Sequence, residues 1–142
     1  MEALNAYNRR INLLLEEIEA IYHEAALRFG LSDSVMLILY TACLGGGCCQ
    51  LSDITLWASK QTINSALRKL EADGIVCLER ADGRKKLVRL TDKGALLAQN
   101  TVQRWIQAEN AVTDQWSEAE KEIYIALTQR YLNGVKQKVR EF

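Results

Sequence analysis

Between Ser59 and Lys93 the sequence gathers side chains suited to hold a polyanion, and their spacing says how. Lys60, Gln61, Thr62, Asn64, Ser65 and Arg68 share a run whose apolar members are Ile63, Leu67 and Leu70. Folded as a helix, that run turns the apolar three inward and leaves the polar set on or beside the outer face. Asn and Gln can bond adenine bidentately, Arg and Lys can bond guanine, and Ser or Thr can bond a base edge or a phosphate. Thr62 falls in the first turn, beside the positive end of the helix dipole, where a phosphate is favoured. Further on, Arg84, Lys85 and Lys86 crowd onto an Asp82-Gly83 turn. A guanidinium on such a projecting tip can enter a narrow A·T minor groove, where negative potential is concentrated.

Charge placement supports this reading where total charge does not. The 142 residues carry 18 Lys and Arg against 18 Asp and Glu, a formal net charge of zero. From Lys60 to Lys93, however, nine basic residues face five acidic ones, so that segment is +4 and the remainder −4. A basic segment in an otherwise acidic chain directs where a polyanion docks without making the whole surface adhesive.

The elements that must position these residues follow from apolar periodicity and from glycine, since the chain has no proline. Leu4, Tyr7, Ile11, Leu14, Ile18, Ile21 and Ala25 mark a heptad-like stripe on a first long helix ending at Gly30. Ser32 caps a second helix that the Gly45-Gly46-Gly47 run stops, with Cys48-Cys49 at the start of a short third helix running near Leu51 to Trp57. Ser59 caps the polar-faced helix, which closes at Asp73-Gly74. Ile75–Arg80 and Leu87–Leu90 read as two strands of a hairpin around the Asp-Gly turn. Thr91 opens one long helix carrying Ala95, Ala98, Val102, Trp105, Val112 and Trp116, and Ser117 with Glu120 forms a capping box for the last helix, striped by Ile123, Leu127, Tyr131, Val135 and Val139. The expected fold is therefore mainly α with a small β-hairpin wing, a winged helix-turn-helix flanked by long N- and C-terminal dimerisation helices. Residues 1–31 form one dimerisation helix, 32–91 the winged part and 92–142 the remaining dimerisation helices of a single intertwined domain. Three long striped helices around one small core leave more apolar surface than a monomer can cover, which predicts a homodimer.

In Ser59-Lys60-Gln61-Thr62-Ile63-Asn64, Leu67-Arg68-Lys69-Leu70-Glu71-Ala72-Asp73-Gly74, Asp82-Gly83-Arg84 and Leu90-Thr91-Asp92-Lys93-Gly94 the chain resembles the MarR family of bacterial transcription regulators. The resemblance covers nearly the whole chain. It departs from the family pattern at Asp53–Ser59, which is about two residues shorter and lacks the usual turn glycine. It implies a triangular homodimer joined through the first and last two helices. It also implies that recognition helix and wing bind pseudo-palindromic double-stranded DNA, and that many members take a small ligand between the dimer and DNA-binding parts. By the same resemblance Gln61, Thr62, Asn64, Ser65 and Arg68 occupy groove and phosphate positions and Arg84 the wing position. Tyr22, Met36, Tyr40 and Trp105 are candidate linings of an effector cleft, and equally ordinary packing residues.

Other chemistries find less support. No nucleophile elbow or phosphate-binding glycine loop is present, and the triple glycine lacks a following Gly-Lys-Ser/Thr, so no catalytic residue and no cofactor are expected. His23, with Glu19 and Glu24, lacks the paired Cys/His spacing of a structural zinc site, and no metal is expected. Four cysteines without a secretory signal read as reduced thiols. Cys43, Cys48 and Cys49 are candidates for a redox-sensing regulator, Cys48-Cys49 because a helix start favours the thiolate. A winged module for protein association is the other alternative. No run reaches roughly 18 apolar residues and Met1-Glu2-Ala3 is not basic, so the expected place is the cytoplasm, away from membranes.

Overall fold

The computed structural model describes residues 1–55 and 58–142. Among them lie α1 (Ala6–Arg28), α2 (Asp33–Leu44), β1 (Cys48–Gln50), α3 (Leu51–Ile54), α4 (Lys60–Ala72), β2 (Val76–Arg80), β3 (Lys86–Leu90), α5 (Asp92–Asn100), α6 (Val102–Thr113) and α7 (Glu118–Val139). This is the expected winged-helix architecture, mainly helical with a small antiparallel sheet. The chain divides into two compact units, Met1–Trp105 and Ile106–Phe142. No single described helix is long and apolar enough to cross a membrane.

The helix starts are written in short polar side chains. Ser32 Oγ accepts from the Val35 amide at 3.2 Å, Ser59 Oγ from Thr62 at 3.2 Å and Thr91 Oγ1 from Gly94 at 3.0 Å, each meeting one orphan donor of a first turn. At α7 the capping box is complete: the Ser117 amide donates to Glu120 Oε1 at 2.9 Å and the Glu120 amide to Ser117 Oγ at 3.1 Å. The Ser117 amide bond also holds the Glu120 carboxyl below its usual range.

In the first unit α2 is the central element. It touches α1, α3, α4, α5, β1 and β3, and Met36, Ile38, Leu39 and Ala42 on it are fully buried. Ile63, Leu67 and Leu70 bring α4 onto this core, and Val88 at the middle of the sheet is likewise fully buried. The strand order is β1-β3-β2, with Cys49 and Leu78 on either side of Val88. By contrast α1 buries only Ala25 and Ala26, and Leu4, Tyr7, Leu14, Ile18 and Ile21 are exposed. In the second unit α7 buries no residue at all, leaving Ile123, Leu127, Tyr131, Val135 and Val139 open.

Residues 90–94 fasten the hairpin to the end of α4. The Thr91 hydroxyl, which caps α5, donates to the carbonyls of Gly74 and Ile75, and the Thr91 amide donates to the Ile75 carbonyl at 3.0 Å. Lys93 Nζ donates to the Asp73 carbonyl at 2.8 Å, satisfying a carbonyl at the C-terminal end of α4. Gly94 is buried so closely against Ile75 that a Cβ there would overlap its carbonyl oxygen.

Two expectations are corrected, and a third falls partly outside the described residues. The helix opened by Thr91 is two helices, broken at Thr101, whose backbone turns to φ −127° and ψ −94°. The buried Thr101 hydroxyl donates to the Leu97 carbonyl at 2.7 Å, a side-chain bond that competes with the helical ladder. The apolar spacing runs across the break because periodicity does not register one residue's ψ. The third helix ends at Ile54, and its expected extension reaches Leu56 and Trp57, which lie outside the described residues. Finally, Cys48 and Cys49 do not begin a helix: they form β1, opposite Arg89 and Val88.

This last correction removes the helix-dipole argument for a reactive thiolate. Cys49 is buried, and burial, reinforced by Asp53 and Cys48, pushes its thiol from the ordinary 9.0 up to about 11. Cys43 is also raised by burial, against an opposing hydrogen bond from Gln103.

Two outcomes follow from this packing. Gly94→Ala should destabilise the protein by about 1–3 kcal/mol, because backbone rather than a mobile side chain must give way, and urea unfolding will measure it. Iodoacetamide at pH 8 should leave Cys49 unmodified in native protein and alkylate it in denatured protein, read by peptide mass mapping. The same thiol's contribution to stability should hold up to about pH 9.0 and be lost as the pH climbs towards about 11, since the unfolded chain ionises first.

Candidate nucleic-acid interface

The interface builds up from α4. With Ile63, Leu67 and Leu70 buried, Lys60, Gln61, Thr62, Asn64, Ser65 and Arg68 are all exposed. Their hydrogen-bonding capacity differs. The Thr62 hydroxyl shares a 2.8 Å bond with Ser59 Oγ, and Ser65 Oγ donates back to the Gln61 carbonyl at 3.0 Å. These two hydroxyls are partly spent on holding the first turns of the helix. Lys60, Asn64 and Arg68 make no side-chain hydrogen bond or ion pair among the described residues, so their donors are open to an outside partner.

The wing is set by the register of β2 and β3, which pair from Val76 with Leu90 to Arg80 with Lys86. The Ala81 amide donates to the Lys85 carbonyl at 3.0 Å, closing the tip, and Gly83 takes the left-handed φ of 77° that the Asp-Gly signal anticipates. Arg84, Lys85 and Lys86 are exposed there and, like Lys60 and Arg68, form no ion pair among the described residues.

Two basic residues of the same segment are used internally. Arg89 Nε bonds Glu79 Oε1 at 3.0 Å across the sheet, a contact that holds the guanidinium above its ordinary pKa, and Lys93 serves the end of α4. The basic segment is thus sorted into cations that build the wing's base and cations that project from its tip and from α4.

Helix and wing face each other across an open groove of about 560 Å³. Lys60 and Asn64 line it from α4, and Arg84, Lys85 and Lys86 with Asp82 line it from the wing. Gln61, Thr62, Ser65 and Arg68 do not line this groove. Its third wall comes from residues that sequence reading did not nominate: Gln50 at the end of β1, Leu51 and Ser52 of α3, and Thr55 just after it. A signal for this wall exists in Gln50-Leu51-Ser52-Asp53, since Asp53 accepts from the Gln50 amide at 3.3 Å as a helix-start acid does. Which face that start presents is a tertiary matter.

The aromatic candidates meet in part. Tyr22 packs edge-on against Tyr40 at 6.4 Å and against Trp105 at 5.6 Å between ring centroids. Trp105 Nε1 is buried without a hydrogen-bond partner among the described residues. Met36 is fully buried in the core. His23 Nδ1 lies 2.8 Å from the Asp33 carboxylate, joining α1 to the first turn of α2. Among the described residues no group of three His, Cys, Asp or Glu is placed to hold a metal.

No family model matches the chain, and no curated protein matches it in sequence. Solved structures do match. The S. aureus MepR–DNA complex aligns with a TM-score of 0.69 at 20% identity, covering 92% of this chain and 96% of that one. Sco3205, a MarR family transcriptional regulator from Streptomyces coelicolor solved with DNA, aligns at 0.65 and 17% identity over 94% and 91%. NadR in complex with 4-hydroxyphenylacetate aligns at 0.67 and 15% identity over 92% and 95%. The alignments cover nearly the full length of these chains, so this chain has the winged helix-turn-helix fold of the MarR-family transcriptional regulators.

Proposed function

We propose that this chain is a homodimeric, sequence-specific DNA-binding transcription regulator of the cytoplasm, a repressor released by a small ligand or another signal. The observation that carries this reading is the set of uncommitted cations: Lys60, Arg84, Lys85 and Lys86 line one groove with Asn64 and form no ion pair among the described residues. Cations serving stability tend to be paired, whereas cations left open on a helix face and a projecting hairpin suit phosphates. The MepR and Sco3205 structures with DNA support the same use of the fold.

Dimerisation rests on the apolar faces of α1 and α7, described above, which need a partner surface. In a two-fold dimer the two α4 helices enter successive major grooves about 34 Å apart, with the wings in the flanking minor grooves. Asn64, Gln61 and Arg68 read base edges, Thr62 and Ser65 meet phosphates or base edges, and the wing cations supply sequence-independent attraction. An effector acts by binding one separation of the two helices better than another, because only differential affinity shifts the equilibrium. NadR's complex with 4-hydroxyphenylacetate gives precedent for a ligand in this fold. The Tyr22, Tyr40 and Trp105 cluster, whose buried indole N–H has no hydrogen-bond partner among the described residues, is the candidate contact here. Thiol sensing through Cys49 is disfavoured by its raised pKa.

Fluorescence anisotropy on a genomic fragment carrying the protein's own promoter, across salt concentrations and against random duplex, tests the proposal. Arg84→Ala should weaken binding to both duplexes and lower the slope of log affinity against log salt by about one. Asn64→Ala should cost about 1–3 kcal/mol on the promoter fragment and little on random DNA. Wild-type protein that binds neither duplex, with or without reductant, would overturn the reading in favour of protein association.

A further inference from the structure

We propose that Cys48 is a site of reversible thiolation by small disulfides that carry carboxylates, with Arg89 as the group that receives the carboxylate. The site lies on the face of the sheet turned away from the core, and it stands whether or not the wing meets DNA.

Strand register places it. Cys48 of β1 and Cys77 of β2 are both paired with Arg89 of β3, so the three side chains form one row across the sheet. The adjacent row, Cys49, Val88 and Leu78, belongs to the opposite face, and Cys49 and Val88 are buried in the core. Both thiols of the outward row are free and only partly buried. Cys48 has no helix dipole beside it, but it has a guanidinium.

Arg89 is oriented without being used up. Its Nε donates to Glu79 Oε1 at 3.0 Å, and its two terminal nitrogens donate no hydrogen bond among the described residues. Those nitrogens form the planar fork that takes a carboxylate bidentately. The two thiols beside it differ. The Cys77 thiol is directed at Glu79 Oε1, 3.9 Å away, whereas the Cys48 thiol donates no hydrogen bond among the described residues. Cys48 also acts on Arg89 more than Cys77 does: the Glu79 hydrogen bond contributes most to holding the guanidinium above its ordinary pKa, and Cys48 comes next. Cys48 is therefore the nucleophile of the row.

The sheet also decides how far the reaction goes. Cys48 and Cys77 stand two strand spacings apart, roughly 9–10 Å between Cα atoms, and a disulfide needs less than about 7 Å. Cys49 faces the core, so no thiol of this sheet can displace an adduct from Cys48. In the exchange the Cys48 thiolate attacks one sulfur of the incoming disulfide, the old S–S bond breaks as the new one forms, and the other half leaves as a thiolate that takes a proton from water. Cys48 is oxidised and half of the reagent is reduced. An external thiol reverses the step by the same exchange.

Charge selectivity is the signature. Dithiodipropionate, hydroxyethyl disulfide and cystamine are disulfides of similar size that are anionic, neutral and cationic. The rate of adduct formation at Cys48, read by peptide mass mapping, is divided by the rate at the same residue in urea-denatured chain, which removes each reagent's intrinsic reactivity. In folded wild type this ratio should be roughly fivefold higher for dithiodipropionate than for hydroxyethyl disulfide, and lower still for cystamine, as expected for one charge a few Å away in water. Dithiothreitol should remove the adduct. Arg89→Gln should bring the three ratios together, and Glu79→Gln, which removes the opposing carboxylate, should widen the anionic preference.

Each variant is scored only with thermal unfolding matching wild type, and Glu79→Gln carries the test if Arg89→Gln fails to fold. Equal ratios for the three disulfides in wild type, a preference that survives in Arg89→Gln, or one that does not widen in Glu79→Gln would overturn the role of Arg89. Adduct formed chiefly at Cys43 or Cys77 would overturn the site itself.

Discussion

The relation between α4 and the wing depends on one short clamp, residues 90–94. A single hydroxyl, that of Thr91, caps α5 through the Gly94 amide and reaches the carbonyls of Gly74 and Ile75 at the close of α4. Lys93 answers the Asp73 carbonyl, and Gly94 leaves room for the Ile75 backbone to come close. The clamp thus ties the C-terminal end of α4 to the strand and helix that follow the wing. Leu-Thr-Asp-Lys-Gly, so prominent in the sequence, is therefore a structural device that positions cations rather than a set of contacts in itself.

The chain combines a net charge of zero with a cluster of open cations by dividing its basic residues between two tasks. Arg89 and Lys93 are engaged within the protein, one by Glu79 and one by a helix end. Arg84, Lys85, Lys86 and Lys60 are left to the groove. An exposed ion pair contributes little to stability, so leaving the second group unpaired costs the fold almost nothing while keeping its charge available. Acidic residues elsewhere hold the overall charge down, which limits attraction to polyanions at large.

The same division appears in the apolar residues. α2 and the inner face of α4 bury their side chains within the first unit, whereas α1 and α7 present most of theirs to solvent. α7 carries Leu, Ile and Tyr at heptad-like spacing and buries none of them. An exposed apolar face of this kind is costly in water and is covered wherever a partner surface is offered.

Local chemistry was legible from the residues alone. Ser32, Ser59, Thr91 and Ser117 cap the helices the sequence assigns to them, because a cap needs only one side chain and an amide three residues on. The Asp82-Gly83 turn and the inward stripe of α4 were equally local, so the polar face of the helix could be written down beforehand. Tertiary structure decided the rest. β1 exists because β3 offers it an edge, and three residues of Cys-Cys-Gln carry no strand pattern of their own. The break at Thr101 is a turn of one residue's backbone, which spacing cannot express. The groove wall of Gln50 and Ser52 is a meeting of α3, α4 and the wing across more than thirty residues of sequence. Short-range hydrogen bonds and periodicity are encoded residue by residue, whereas the juxtaposition of separate elements comes only from how their apolar faces pack.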